Sequence, residues 1–154
     1  MVTGAPAPAA HTDAELTSLL ALLTSMRSPV RSVAVGHARD GASRATAQAF
    51  LRAWEALDRD VLTVVDWPEE AASWLRPAQR LTAQAPDAWV LAGAPPGVAH
   101  LLRRLRRSLG WDPGRTFGFA SLADPRMVEF VGVDALDGLR GASADGGTWE
   151  IGRN

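Results

Sequence analysis

Cysteine, lysine and tyrosine are absent from the 154 residues. Without cysteine, disulfides and thiol chemistry are excluded. Without lysine, any phosphate site that relies on an ammonium group is excluded, and all 16 basic residues are arginine. With alanine so abundant, this bias reads as the coding preference of a GC-rich genome. Excess charge is also missing. A net charge of −1 gives no overall field to attract nucleic acid or an anionic membrane. No long hydrophobic run exists either: LTSLLALLTSM, residues 16–26, is too short and too polar to span a bilayer. The N-terminus MVTGAPAPAAHTDAEL has neither a basic stretch nor an apolar core of the export type, so the chain as given is expected to be cytoplasmic.

What remains describes an ordinary globular domain, 47% hydrophobic and 21% charged, long enough for one core. Residues 1–11 are Ala/Pro-rich and expected to be a disordered tail. Thr12-Asp-Ala-Glu15 has the capping-box pattern, and Leu16, Leu19, Leu20, Leu23 and Met26 follow at helical spacing. Four short apolar segments then alternate with amphipathic ones. RSVAVG (31–36), DVLTVVDW (60–67), DAWVLAG (87–93) and RTFGFA (115–120) read as buried strands. Between them, helices are expected to bury Ala47, Phe50, Trp54 and Leu57, then Trp74, Leu75, Ala78 and Leu81, then Val98, Leu101, Leu102, Leu105 and Leu109. Pro68-Glu69-Glu70 is a good first turn for the second of these, with a kink or restart at Pro77. Residues 124–131 suggest a short helix and 139–142 a weak fifth strand, while 145–154 read as an irregular tail.

Near-continuous apolar strands joined by helices predict a parallel sheet covered on both faces. With right-handed crossovers, the expected fold is a three-layer, doubly wound α/β sandwich. Its five strands would run in the order 2-1-3-4-5 behind a leading helix, forming one lobe over residues 12–144. The functional crevice of such a sheet lies at the carboxyl ends of strands one and three, where the winding reverses. The loops there are residues 36–43 and 93–97.

The first of those loops, GHARDGAS, has the glycine spacing of a phosphate-binding loop. Ala42 stands where the lysine belongs, Asp40 would repel phosphate, and Arg39 and Arg44 cannot fill the same niche. A glycine-containing turn that lets the next helix start close to the sheet is the better reading. A phosphorelay receiver is rejected, since the third strand ends in glycine and no lysine exists. His37, Asp40 and Ser43 are close in sequence, but a triad requires convergence in space, and Ser43 reads as a helix N-cap. Three isolated histidines give no metal-ligand spacing. No cofactor or metal is expected. The run Arg103-Arg104-Leu105-Arg106-Arg107 reads as the solvated side of a helix. Trp54, Trp74 and Trp89 are assigned to the core.

Taken in order, these pieces resemble a family. The VAV strand, the turn leading to A-x-A-F, the W-P after strand two, LTAQAPDAWVLAG, PPGVAHLLRRLRRSLG and SLADPRMVEFVGVDALDGLRG are similar to segments of type I periplasmic binding proteins. These are the substrate-binding proteins of branched-chain amino acid ABC transporters and related receptor domains. The resemblance covers about residues 11–144 and corresponds to the second, C-terminal lobe. It implies a non-catalytic, small-molecule-binding lobe, of a usually exported family, that closes on an amino acid-like ligand with a first lobe. That lobe would have to come from another copy or a partner protein. The family's aromatic before the turn glycine is replaced by Asp40, and its acid after the fourth strand is missing at Ala120-Ser121-Leu122. The expected ligand-facing residues are His37, Asp40, Gly41, Gly93, Ala94, Pro95, Ser121 and Leu122. Two other readings stand beside this one. In one, a degenerate lobe serves protein–protein interaction or oligomerisation. In the other, an α/β enzyme uses His37 and Asp40.

Overall fold

A computed structural model describes residues 7–132 and 136–152. The elements follow in the order α1 (Asp13–Thr24), β1 (Ser32–Ala38), α2 (Gly41–Ala56), β2 (Asp60–Trp67), α3 (Leu75–Thr82), β3 (Ala88–Ala92), α4 (Pro95–Leu105), β4 (Thr116–Gly118), α5 (Arg126–Val131), β5 (Arg140–Ala142) and β6 (Thr148–Glu150). The six strands form one sheet of order β2-β1-β3-β4-β5-β6. All neighbours are parallel except β5 and β6. The doubly wound sandwich is therefore as expected, with the winding reversing between β1 and β3.

The sheet separates two apolar layers. On one face Leu19 and Leu23 of α1 and Ala47, Phe50 and Trp54 of α2 pack against Val33, Val35, Val90 and Phe117. On the other, Ala78 and Leu81 of α3 and Val98, Leu101, Leu102 and Leu105 of α4 pack against Ala34, Val65, Trp67, Trp89 and Leu91. Strand residues alternate between the layers, as a period of two requires. The central strands β3 and β4 are buried along their whole length, the signature of a parallel sheet covered twice.

Several local expectations are corrected. The helix N-cap before α2 is Asp40, not Ser43. Asp40 has the extended backbone of a cap, and its Oδ1 accepts the Ser43 N–H at 2.8 Å. His37 is not a loop residue, because β1 continues two residues past Gly36. Pro68-Glu69-Glu70 does not start a helix; α3 begins at Leu75, which leaves Pro77 in the first turn, where its missing N–H costs nothing. Leu57 is 46% exposed and Leu109 96% exposed, since each lies just past the end of its helix. Trp74 is only partly buried, whereas Trp54 and Trp89 are core. The segment read as an irregular tail contains β6, turned back on β5 through a bend in which Ser143 N donates to Gly147 O at 2.8 Å. Residues 1–6 and 153–154 of the two expected tails lie outside the described residues. Residues 7–11 carry no regular element, yet His11 Nδ1 lies 3.1 Å from Thr46 Oγ1.

Gly36 and Gly41 lose their nucleotide-loop meaning here. Gly36 sits inside β1, and a Cβ there would come within 2.7 Å of the Trp67 ring. The glycine lets a large indole from β2 lie across β1. Gly41 opens α2 with nothing near its Cβ position. Their spacing reflects packing at one position and a helix start at the other.

Candidate functional site

At the carboxyl ends of β1, β3 and β4 the structure holds a cavity of about 240 Å³. Its walls come from the segment before α1 (Pro8 to His11), α1 (Glu15), the α2 entry (Ser43, Thr46), the end of β3 (Ala92, Gly93), the turn after β4 (Phe119 to Ser121) and Ala144 after β5. Its position is the switch point, where the chain leaves β1 one way and β3 the other. A cavity of this size, below the roughly 300–1,000 Å³ of drug-sized ligand clefts, suits a small metabolite.

Glu15 is the polar centre of this wall. It is 3% exposed. Its Oε1 accepts the Thr12 N–H at 3.2 Å, and Thr12 Oγ1 accepts the Glu15 N–H at 3.0 Å, so the expected capping box is formed. Its other oxygen, Oε2, accepts the Ala120 N–H at 2.7 Å, 105 residues away. One side chain thus ends a helix and ties it to the β4 turn. The Thr12 hydroxyl in turn donates to Ala144 O, which fastens the β5–β6 bend to the same corner.

Two helix starts around the strand termini, those of α1 and α2, are closed by a carboxylate of the chain itself. Glu15 closes α1. Asp40 closes α2 twice, with Oδ1 on Ser43 N and Oδ2 accepting from Ser43 Oγ at 2.8 Å. The Glu69 carboxyl, just beyond β2, lies against Gly97 in the first turn of α4, and its Oε2 is buried without a hydrogen-bond partner. Burial lifts the Glu69 carboxyl above its ordinary range; the Gly97 N–H opposes this, and the charges of Asp40 and Glu70 add to it. A Cβ on Gly97 would meet Glu69 Oε1 at 2.6 Å, so a side chain there would displace the Glu69 carboxyl from its present seat. A helix N-terminus ordinarily attracts anions. At α1 and α2 the chain's own Glu15 and Asp40 already meet that attraction. No group of three potential metal ligands converges among the described residues.

The eight residues expected at the site fall into three sets. Gly93 and Ser121 line the cavity, and Ser121 Oγ donates to Gly93 O at 2.8 Å. Ala94, Pro95, Asp40 and Gly41 sit at helix entries beside it, as cap or first helical residue of α4 and α2. His37 and Leu122 point inward. His37 is 8% exposed with Nδ1 donating to Ala38 O at 2.8 Å, and Leu122 is fully buried. His37 and Asp40 are thus each engaged with backbone or cap partners, not with one another. Glu15, Thr46 and His11 line the cavity but were not among the expected ligand-facing residues. Glu15 is legible as a capping residue, but its second contact is too distant in sequence for any local pattern to reveal.

The profile of the periplasmic binding protein family matches residues 6–152. Comparison with curated proteins returned no match. Among solved structures, the chain is similar to a substrate-binding periplasmic protein of Ralstonia solanacearum (19% identity, TM-score 0.74, 89% of this chain and 38% of that one). It is also similar to a leucine binding protein of Thermotoga maritima (18%, TM-score 0.68, 83% and 36%). A third is a solute binding protein of an ABC transporter from R. palustris in complex with benzoate (14%, TM-score 0.65, 82% and 33%). At these identities the solved structures speak for the fold alone. The chain spans little more than a third of the length of the first two and a third of the third. With nearly every residue inside the matched profile and the sheet wound as described, the chain belongs to the periplasmic binding protein family, of which it presents one lobe.

Proposed function

We propose that this lobe is a non-catalytic binding module for a small, ammonium-bearing molecule of amino acid type, held in the cavity between α1, α2 and the ends of β3 and β4. The observation that carries the reading is the buried Glu15 carboxylate in the cavity wall. Glu15 Oε1 and Oε2 each hold one backbone N–H and keep a lone pair for a further donor. Gly93 O adds a carbonyl in the same wall. The lining contains one carboxylate and no arginine. A cationic group gains a partner there, whereas an anion such as the benzoate of the R. palustris protein would meet repulsion. The amino acid ligand named for the T. maritima protein has the required ammonium. The acid missing from the turn after β4 is supplied from α1, which lies against that turn.

Pairing belongs to the same proposal. The related structures are more than twice as long, and a ligand in this cavity would be covered by a second lobe. Thermal-shift screening against amino acids, their deaminated acids and amines tests the reading, with light scattering for mass. A shift with amino acids and amines, but not with the acids lacking nitrogen, supports it. A shift with the acids alone would refute it. A stable dimer with no response to any ligand would instead favour an interaction module.

A further inference from the structure

The α3–α4 face carries a charge distribution that the cavity does not use. Residues 71–111 contain six arginines and one acid, Asp87, in a chain whose net charge is −1. Asp87 is remote in role: its Oδ2 accepts the Arg31 and Ser32 N–H groups at the start of β1. Arg103, Arg104 and Arg107 line a groove of about 480 Å³ together with Trp74, Leu75 and His100. Arg76 and Arg80 line a second groove of about 670 Å³ on the other side of Leu75. None of these five arginines makes an ion pair or side-chain hydrogen bond among the described residues. The acid nearest the second groove, Asp66, is already paired with Arg39 at 3.1 Å.

The centre of this face is apolar and fixed. Leu75 is 40% exposed and forms the ridge shared by both grooves. Beside it Trp74 is stacked on His100, with ring centroids 5.7 Å apart and planes at 12°, and meets Trp67 edge-on at 6.2 Å. Trp67 is wholly buried, so this small stack is anchored in the core. An apolar and aromatic centre ringed by arginine is the composition of a protein–protein contact. Unpaired arginines around it select carboxylates on the opposite side. A nucleic acid would instead want aromatic faces free for stacking, and Trp74 is already stacked.

We propose that the α3–α4 face is a docking surface for a protein segment that presents an apolar side chain flanked by carboxylates. The apolar side chain would lie against Leu75 and Trp74, and the carboxylates would pair with Arg103 and Arg107 on one side and Arg76 and Arg80 on the other. This site is separate from the ligand cavity and does not rest on the ligand reading.

The test uses the full chain and a fluorescein-labelled helical peptide with one leucine and glutamates one turn before and after it, read by anisotropy. Polyglutamate and a single-stranded oligonucleotide serve as comparators. The leucine-containing peptide is expected to bind more tightly than either, and more weakly as salt rises. Arg103→Glu with Arg107→Glu should weaken it by about tenfold or more, and Leu75→Ala by about fivefold, from lost charge pairing and lost apolar contact respectively. All three positions are at the surface, and unchanged melting curves would show that the variants fold. Polyglutamate or the oligonucleotide binding as tightly, with Leu75→Ala without effect, would overturn the proposal in favour of a general polyanion site. Absence of peptide binding would overturn it outright. Self-association abolished by the arginine reversals would overturn it in favour of a second copy as the occupant.

Discussion

Replacing Glu15 separates its structural role from its proposed binding role. Glu15→Ala removes the acceptor for two backbone N–H groups, Ala120 at 2.7 Å and Thr12 at 3.2 Å. Hydrogen bonds to a charged group contribute about 1.5–3 kcal/mol each, and a buried donor left without a partner costs about 1–3 kcal/mol. Two terms offset this loss. Glu15 lies at a cavity, so water can reach part of the space vacated, and the variant no longer has to desolvate a carboxylate. The net expectation for Glu15→Ala is a loss of about 2–3 kcal/mol, which for a chain of this size lowers Tm by roughly 4–12 °C. Glu15→Gln keeps one acceptor oxygen but turns an N–H₂ toward the second N–H, so about 1–2 kcal/mol is expected. Both variants should lose the thermal response to amino acids, because both lose the negative charge. Urea unfolding gives the stabilities, and thermal shift with and without amino acid gives the response. If Glu15→Ala unfolds within about 0.5 kcal/mol of wild type, the two hydrogen bonds contribute nothing and the structural account of this corner is wrong. If Glu15→Gln keeps the wild-type ligand response, the carboxylate is not the ammonium site.

Three further outcomes follow from the geometry. Gly36→Ala drives a Cβ to within 2.7 Å of the Trp67 ring, which is fully buried and cannot swing away; overpacking of this kind should cost about 1–3 kcal/mol in chemical denaturation. Asp40→Ala should destabilise α2 by about 1 kcal/mol through loss of its cap, while Asp40→Asn, a good capping residue, should recover most of it; equal losses for both would mean that the charge and not the cap matters. The raised pKa of Glu69 means that the folded chain holds this proton more tightly than the unfolded chain does. Its contribution is therefore fully present below the ordinary glutamate value of 4.5 and is lost as pH rises through the higher folded value. Relative to Glu69→Gln, wild type should lose stability as pH increases across that window, and an opposite slope would contradict the burial of this carboxyl.

Much of the architecture is legible in the sequence because parallel strands buried on both faces write themselves as apolar runs. RSVAVG, DAWVLAG and RTFGFA each mark a strand, and the glycine- or proline-rich turns after the first two mark the switch point. Thr12-Asp-Ala-Glu15 forms the capping box that its spacing spells out. The failures have equally physical causes. In Asp40-Gly-Ala-Ser43 two residues can cap a helix, and only backbone conformation decides between them. Pro68-Glu69-Glu70 has the composition of a helix start, but the carboxyl of Glu69 turns instead against Gly97 of the neighbouring helix. Strand β6 is three residues long and gains its place by pairing with β5, which no local periodicity records. The cavity wall was the least legible part. Gly93 and Ser121 come from loops that the topology marks, whereas Glu15 and Thr46 reach the cavity from helices, and His11 from the segment before α1, that converge only after folding.

Residue-resolved amide shifts of the isotope-labelled chain, titrated with leucine and with its deaminated acid, address the central claim most directly. The account predicts that leucine moves the amides of Gly93, Ala120 and Ser121 together with those around Glu15, that the deaminated acid does not, and that Glu15→Gln abolishes the response. Shifts confined to the α3–α4 face, or an equal response to the deaminated acid, would contradict it.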